Sequence, residues 1–223
     1  MAKKKLIHFA ENLTFRHLFQ QSYKQLMEGF TLKGKWRDGY FLNDHPIVLE
    51  LGCGKGEYTV NLAIAHPEKN FLGMDIKGAR LWKGCKMVEE LKLRNAAFIR
   101  SRAELLEHFF SPGEVDEIWI TFPDPFEPNR RAHRRLTSPG FLERYRHVLS
   151  GNGIIHFKTD NAGLFHYTLG IINDQDHELI FASEDVYHDA ENHPATTIQT
   201  FYEEKFKSEG IPIKYLEFRL SHG

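Results

Sequence analysis

Five short apolar runs, each bounded by turn residues, set the rhythm of the chain. "IVLEL" (47–51) lies between His45-Pro46 and a glycine turn and reads as a buried strand. "NFLGMD" (70–75), "AAFIR" (96–100) and "GIIHFKT" (153–159) read as further strands, and "VDEIWIT" (115–121) alternates into the fourth. The stretches between them carry helical spacing. Residues 57–66 predict a helix that ends before Pro67. Residues 77–93 place Leu81, Trp82, Cys85, Val88 and Leu91 mostly on one side. Residues 103–110 predict a short helix stopped by Ser111-Pro112-Gly113. Ser138-Pro139 opens another, with proline at its first position and an end near Gly151; 162–173 predicts one more. "ELIFASE" (178–184) and "IKYLEFRL" (213–220) read as late strands around a loop rich in His, Asp and Asn and a helix at about 198–208.

Strands alternating with helices of this length predict an α/β fold on a mostly parallel sheet covered on both faces. Only a helix-containing loop separates the last two strands, so an antiparallel strand is expected at the sheet edge.

Composition narrows the function classes. The 223 residues suffice for one domain with a short appendage. The formal net charge of −1 means that nucleic-acid binding would have to come from local patches. Residues 1–37 hold eight Lys/Arg against Glu11 and Glu28, a net of +6. They read either as a solvated, partly disordered arm or as a basic arm reaching toward phosphates, with the main domain at 38–223. Two cysteines, Cys53 and Cys85, in no metal-ligand spacing, point to reduced thiols inside the cell. Scattered histidines without HExxH predict no zinc. "MAKKKLIHFAEN" is too short for a signal peptide, and no run approaches the roughly 20 apolar residues of a membrane span. A cytoplasmic location is therefore expected.

"LELGCGKGEY" sets Gly52, Gly54 and Gly56 directly after the first strand, where glycine permits positive φ and close approach to a ligand. Asp75 ends the second strand, where an acid can grip ribose hydroxyls. Tight turns use glycine too, but the acids at Glu50 and Asp75 strengthen the nucleotide reading. The spacing is GxGxG rather than GxGxxG, and a carboxylate at Glu50 would repel a pyrophosphate. S-adenosylmethionine has no phosphate; a nearby acid suits its cationic end and loop amides suit its carboxylate. It is preferred over NAD, and Cys53 is given no catalytic role. Arg102 and Glu104 follow the third strand, where an adenine contact or a plain helix start are both open.

"ITFPDPFEPNRRAHRRL" (120–136) follows the fourth strand. Catalytic groups of open α/β sheets belong in such a loop. Pro125 biases Asp124 toward extended geometry and Pro123 fixes its own φ, so the carboxylate sits on a stiff hook; an ordinary turn aspartate is the alternative. Arg130, Arg131, Arg134 and Arg135, with His133, form a dense basic cluster suited to phosphates. An acid for a base edge, ringed by cations for a backbone, suits an enzyme acting on nucleic acid.

The combination of "LELGCGKG", "FPDPFEPNRRAHRRL", "KTDN" and "TFYEEKFKSEGIPI" resembles the tRNA (guanine-N7-)-methyltransferases of the single-chain bacterial type, over roughly residues 40–220. The resemblance implies a Rossmann-like class I S-adenosylmethionine-dependent methyltransferase fold acting on a guanosine in the tRNA variable loop. It implies that Glu50, Asp75 and Asp124 bind cofactor or lie in the active site, with Asp124 catalytic. Asp160 and the run Thr200, Phe201, Tyr202, Glu203 would meet the target guanosine, and residues 130–135 would contact RNA. No obligatory protein partner is implied, and a homodimer stays open. Phe126 stands where the family usually has Trp, Pro128 where a lysine is common, and Arg102 where an aspartate is expected; the adenine contact would then fall to the amide of Ala103 or Glu104. Without the resemblance, Asp160 reads as a helix N-cap, Glu203 and Lys205 as an exposed helix face, and Tyr202 and Phe206 as packing. The rivals are a small-molecule methyltransferase, which has no need of the arginine cluster, and an RNA-binding module, which leaves the glycine loop unexplained.

Overall fold

The computed structural model describes residues 2–127, 129–191, 193–199 and 201–221, with the side chains of 2–4, 129, 201 and 202 outside that description. Among the described residues eight strands form one sheet: β1 (Leu18–Phe19), β2 (Ile47–Leu51), β3 (Asn70–Asp75), β4 (Ala96–Arg100), β5 (Val115–Thr121), β6 (Leu149–Thr159), β7 (Glu178–Ser183) and β8 (Lys214–Arg219). Their order is β1-β4-β3-β2-β5-β6-β8-β7. Neighbours from β1 to β6 pair in parallel, and β8 is antiparallel to both β6 and β7. The antiparallel pairing thus falls at one edge, with β8 one place in and β7 outside it.

The helices are α1 (Ala2–Glu11), α2 (Tyr23–Glu28), α3 (Glu57–Ala65), α4 (Gly78–Leu91), α5 (Pro139–Val148), α6 (Ala162–Asp174), α7 (Val186–Asp189), α8 (Pro194–Thr197) and α9 (Phe201–Ser208). A π-helical turn spans Trp36–Phe41, and 3-10 turns span Ala103–His108 and Asn129–Arg134. Among the described residues no helix is long and apolar enough to cross a membrane.

Every residue of β2 is buried, as a strand covered on both faces requires. Alternation sorts its side chains: Ile47, Leu49 and Leu51 join one core cluster with Met74, Ile120 and Phe157, while Val48 joins the other with Phe71, Phe98 and Trp119. Sheet order reverses at β2, between β3 and β5, and a crevice opens outside the carboxyl ends of the strands there.

The charge-based division at residue 37 has no counterpart in the packing. Trp36 is fully buried, and its indole donates to the Phe109 carbonyl at 3.0 Å. Glu114 accepts the amides of Gly34, Trp36 and Ser111. Phe15, Leu18, Leu26 and Phe30 are core residues. His8 stacks on Trp82 with ring centroids 4.0 Å apart, and Asn12 donates to the Gly78 carbonyl at 2.8 Å. The basic residues of this segment ride on an apolar framework that belongs to the main domain.

Candidate active site

The crevice has a volume of about 550 Å³ and is lined by Gly52, Asp75, Arg102 and Asp124, contributed by the ends of β2, β3, β4 and β5. Four residues singled out in the sequence therefore converge from four strands. Lys77, Arg80, Glu104 and Arg134 add charges of both signs, and Phe122, Leu136 and Phe141 add apolar wall.

Gly52, Gly54 and Gly56 all have left-handed backbones, with φ of 73°, 58° and 73°. Their reasons differ. Gly52 lines the crevice, and a Cβ there would lie in ordinary contact with Leu136 of the wall at 3.7 Å; glycine supplies the left-handed backbone and leaves that face of the crevice bare. A Cβ on Gly56 would sit 2.5 Å from the Phe98 ring, so glycine there lets the start of α3 pack on the sheet. Gly54 and Gly56 do not line the crevice. The amides of Gly52 and Cys53 donate to the Met74 carbonyl, Gly56 to Cys53, and Gly54 to Asp75 Oδ2. With these amides committed inside the fold, a pyrophosphate would not find them, and neither would the cofactor carboxylate that the sequence pattern assigns to them. Cys53 is buried, and its thiol is pushed up by burial and by Glu50 and Asp75, which keeps it from being a nucleophile.

Asp75 accepts from Gly54 N at 3.0 Å and from Lys77 N at 2.7 Å, one bond per oxygen. Each oxygen keeps a lone pair for a further donor. Glu50 is placed differently from the expectation. It is 3% exposed, does not line the crevice, and accepts the hydroxyls of Thr59 on one oxygen and Thr121 on the other. Burial raises its pKa against those hydrogen bonds. Its contacts fasten α3 and β5 to β2.

The loop after β5 holds its shape by strain and anchors. Phe122 and Phe126, on either side of Pro123-Asp124-Pro125, have φ of 47° and 46°, an uncommon region for residues with bulky side chains. Phe122 N donates to the Lys158 carbonyl at 2.9 Å. Asp124 Oδ1 accepts the Phe126 amide at 3.0 Å, an Asx turn that leaves the exposed carboxylate in the crevice. Both sequence readings of Asp124, turn former and crevice acid, hold at once.

The basic run splits. Arg130, Arg131, His133 and Arg134 are exposed, and the Arg134 guanidinium lies 4.8 Å above the Phe126 ring. Arg135 is 4% exposed, lies over the Tyr167 ring and donates from Nε to the Pro125 carbonyl. It cannot meet RNA as expected, because the turn before it sends its side chain inward.

Asp160 does not cap α6. Asn161 does, accepting from Leu164 N at 2.7 Å. Asp160 is half-buried, its carboxylate accepts no hydrogen bond among the described residues, and it is not one of the residues that line the crevice. Thr200 lies outside the described residues, as do the side chains of Phe201 and Tyr202, though their backbone opens α9. Glu203 is neither an exposed helix face nor open to a substrate: it is fully buried against Lys158. Phe206 packs toward Phe122 with ring centroids 5.9 Å apart, and Lys205 is exposed. Pro128 also lies outside the described residues.

Sequence reasoning missed a second hollow, of about 710 Å³, that meets the crevice at Ile76, Ser101, Arg102 and Glu104 and whose far wall is Gln20, Gln21, Ser22 and Tyr23. It also missed Lys77 and Arg80. The hollow carries no linear signal, since its walls are far apart in the chain; the basic residues after Asp75 were visible but had no distinctive spacing.

A family model described as "Putative methyltransferase" matches residues 44–216. A protein of Christiangramia forsetii named tRNA (guanine-N(7)-)-methyltransferase is 50% identical over 98% of this chain and 99% of its own length. One of Bacteroides thetaiotaomicron with the same name is 45% identical over 99% of this chain and 87% of its own. The crystal structure of the 16S rRNA methyltransferase KamB superposes with a TM-score of 0.61 at 14% identity, over 85% of this chain and 92% of the other, a likeness of fold.

Proposed function

The chain belongs to the tRNA (guanine-N(7)-)-methyltransferase family, and from that premise we propose that its crevice directs a methyl group from S-adenosylmethionine to N7 of a guanosine in the tRNA variable loop. The observation that carries the reading is the convergence of Gly52, Asp75 and Asp124 on one crevice with the exposed Arg131 and Arg134 in the adjoining turn.

The residues fit the cofactor. Gly52 leaves space for close approach, Asp75 has lone pairs for ribose hydroxyls, and the crevice offers both cations and carboxylates to a ligand that carries both charges. When bound, S-adenosylmethionine supplies a methyl group on a positively charged sulfur. Guanine N7 is a lone-pair acceptor without a proton, so no side chain has to remove one. Asp124 holds the guanine edge and offsets the positive charge that develops on the ring. Its Asx turn with Phe126 and the bond from Arg135 to Pro125 fix the carboxylate before substrate arrives, and positioning supplies most of the acceleration. Asp160 is the second acid for the guanosine. A target base stacked within folded tRNA must first leave its stack, at about a few kcal/mol. Arg130, Arg131, His133 and Arg134 meet phosphates. Every group invoked comes from one chain, and a tRNA substrate is in keeping with the cytoplasm.

The test is incubation with S-adenosylmethionine labelled in the methyl group and unmodified tRNA, followed by nucleoside analysis. Label in 7-methylguanosine supports the reading; label in another nucleoside, or none, overturns it.

A further inference from the structure

Lys158 and Glu203 form a charge pair with no contact to the crevice. Lys158 is the penultimate residue of β6 and Glu203 lies in the first turn of α9; both side chains are fully buried, with Nζ 2.5 Å from Oε1. Lys158 Nζ also donates to the Ala195 carbonyl of α8 at 2.6 Å. The Tyr187 hydroxyl of α7 donates to the same Glu203 oxygen at 2.7 Å. The Tyr58 ring, from the turn of α3 that follows the glycine loop, stands 5.3 Å from the ammonium.

The backbone of Lys158 is committed as well. Its carbonyl accepts the amide of Phe122, the left-handed residue that opens the Asp124 loop. The Phe122 ring in turn packs toward Phe206 of α9. One residue therefore ties the catalytic loop, through its backbone, to three helices, through its side chain. Two residues further on stands Asp160.

Burying opposite charges gains little over an apolar pair of the same volume, because desolvation offsets the attraction; what such a pair does well is specify one arrangement. We propose that Lys158 and Glu203 are positioning residues for methyl transfer, fixing α9 against the carboxyl end of β6 and the Asp124 loop so that the guanosine meets a preformed wall. This rests on the reading given under Proposed function. It also gives Glu203 a role through Lys158 rather than by contact with the base.

The experiment compares Lys158→Met, Glu203→Met and the double variant in thermal melts, calorimetric titration with S-adenosylhomocysteine, and kcat and KM for unmodified tRNA. Each single change strands a buried charge, so each lowers the melting temperature; the double variant restores it. Affinity for S-adenosylhomocysteine stays within about threefold in the double variant, since Gly52, Asp75 and Arg102 are untouched. Its kcat for tRNA nevertheless falls by roughly tenfold to a hundredfold, the scale of a misplacement near 1 Å. A double variant that regains wild-type kcat together with its melting temperature would overturn the proposal, leaving the pair as packing only. So would a loss of kcat in Glu203→Met with none in Lys158→Met, which would mean direct contact with the base. A wild-type enzyme that transfers nothing to tRNA would remove the underlying reading, a result distinct from both.

Discussion

Arg135 Nε donates to the Pro125 carbonyl at 2.8 Å, so the last arginine of the basic run is spent on the loop that presents Asp124. The arginines before it are exposed, while this one is buried and holds the Asp124 loop. Arg135→Met keeps much of the volume and removes the donor. It is expected to cost about 1–3 kcal/mol of stability, the scale of a buried acceptor left unpaired, and to lower kcat by about tenfold or more while S-adenosylmethionine affinity changes little. Denaturant unfolding alongside single-turnover methylation checks both; unchanged kcat would show that the loop holds itself.

The exposed part of the run makes a separate prediction. Arg131→Ala combined with Arg134→Ala should weaken tRNA binding and flatten its salt dependence. The slope of log affinity against log salt should fall by about one for each phosphate that no longer meets an arginine. Filter binding across a salt series measures it. An unchanged slope would mean that these side chains face only solvent.

The contrast between Arg135 and its neighbours shows where sequence reading reaches its limit. The strands at 47–51, 70–75 and 96–100 were legible with their boundaries because buried parallel strands are near-continuous apolar runs closed by turn residues, and 115–121 because it alternates. Gly52, Asp75 and Asp124 were legible because strand ends in such a sheet converge. Arg135 was not, since "RRAHRR" reads as one solvated cluster and only the turn geometry decides which side chain points inward. Glu50 looked like a ligand for a cationic cofactor because its two threonine partners, Thr59 and Thr121, lie on other elements. The N-terminal segment was read by its lysines, while Phe15, Phe30 and Trp36 decided its place. Lys158 and Glu203 are distant in sequence, and no periodicity could pair them.

Nearer the start of β5, away from the Asp124 loop, Glu117 makes a pH prediction. Burial opposes its ionisation, but the neighbouring His156 imidazole, 3.6 Å away, and the hydrogen-bonded Lys69 ammonium outweigh it and hold the carboxyl at about 2 against an ordinary 4.5. Lys69 Nζ stands 2.6 Å from it. The folded pKa is depressed, so the unfolded chain takes up the proton first. The contribution, roughly 3 kcal/mol, is present above pH 4.5 and is lost as pH falls toward 2. Glu117→Gln should lower stability at pH 7 and flatten the decline across that window. Equal slopes in the two proteins would contradict the assignment.

The most direct test of the account is Asp124→Ala, read by two measurements on one preparation: calorimetric affinity for S-adenosylhomocysteine and the rate of 7-methylguanosine formation in unmodified tRNA. Asp124 is exposed and bonds only to the nearby Phe126 amide among the described residues, so the fold does not depend on it. The account predicts an affinity within about tenfold of wild type and methylation reduced by about two or more orders of magnitude, the scale of a missing electrostatic interaction with the transition state. Methylation at the wild-type rate would contradict it.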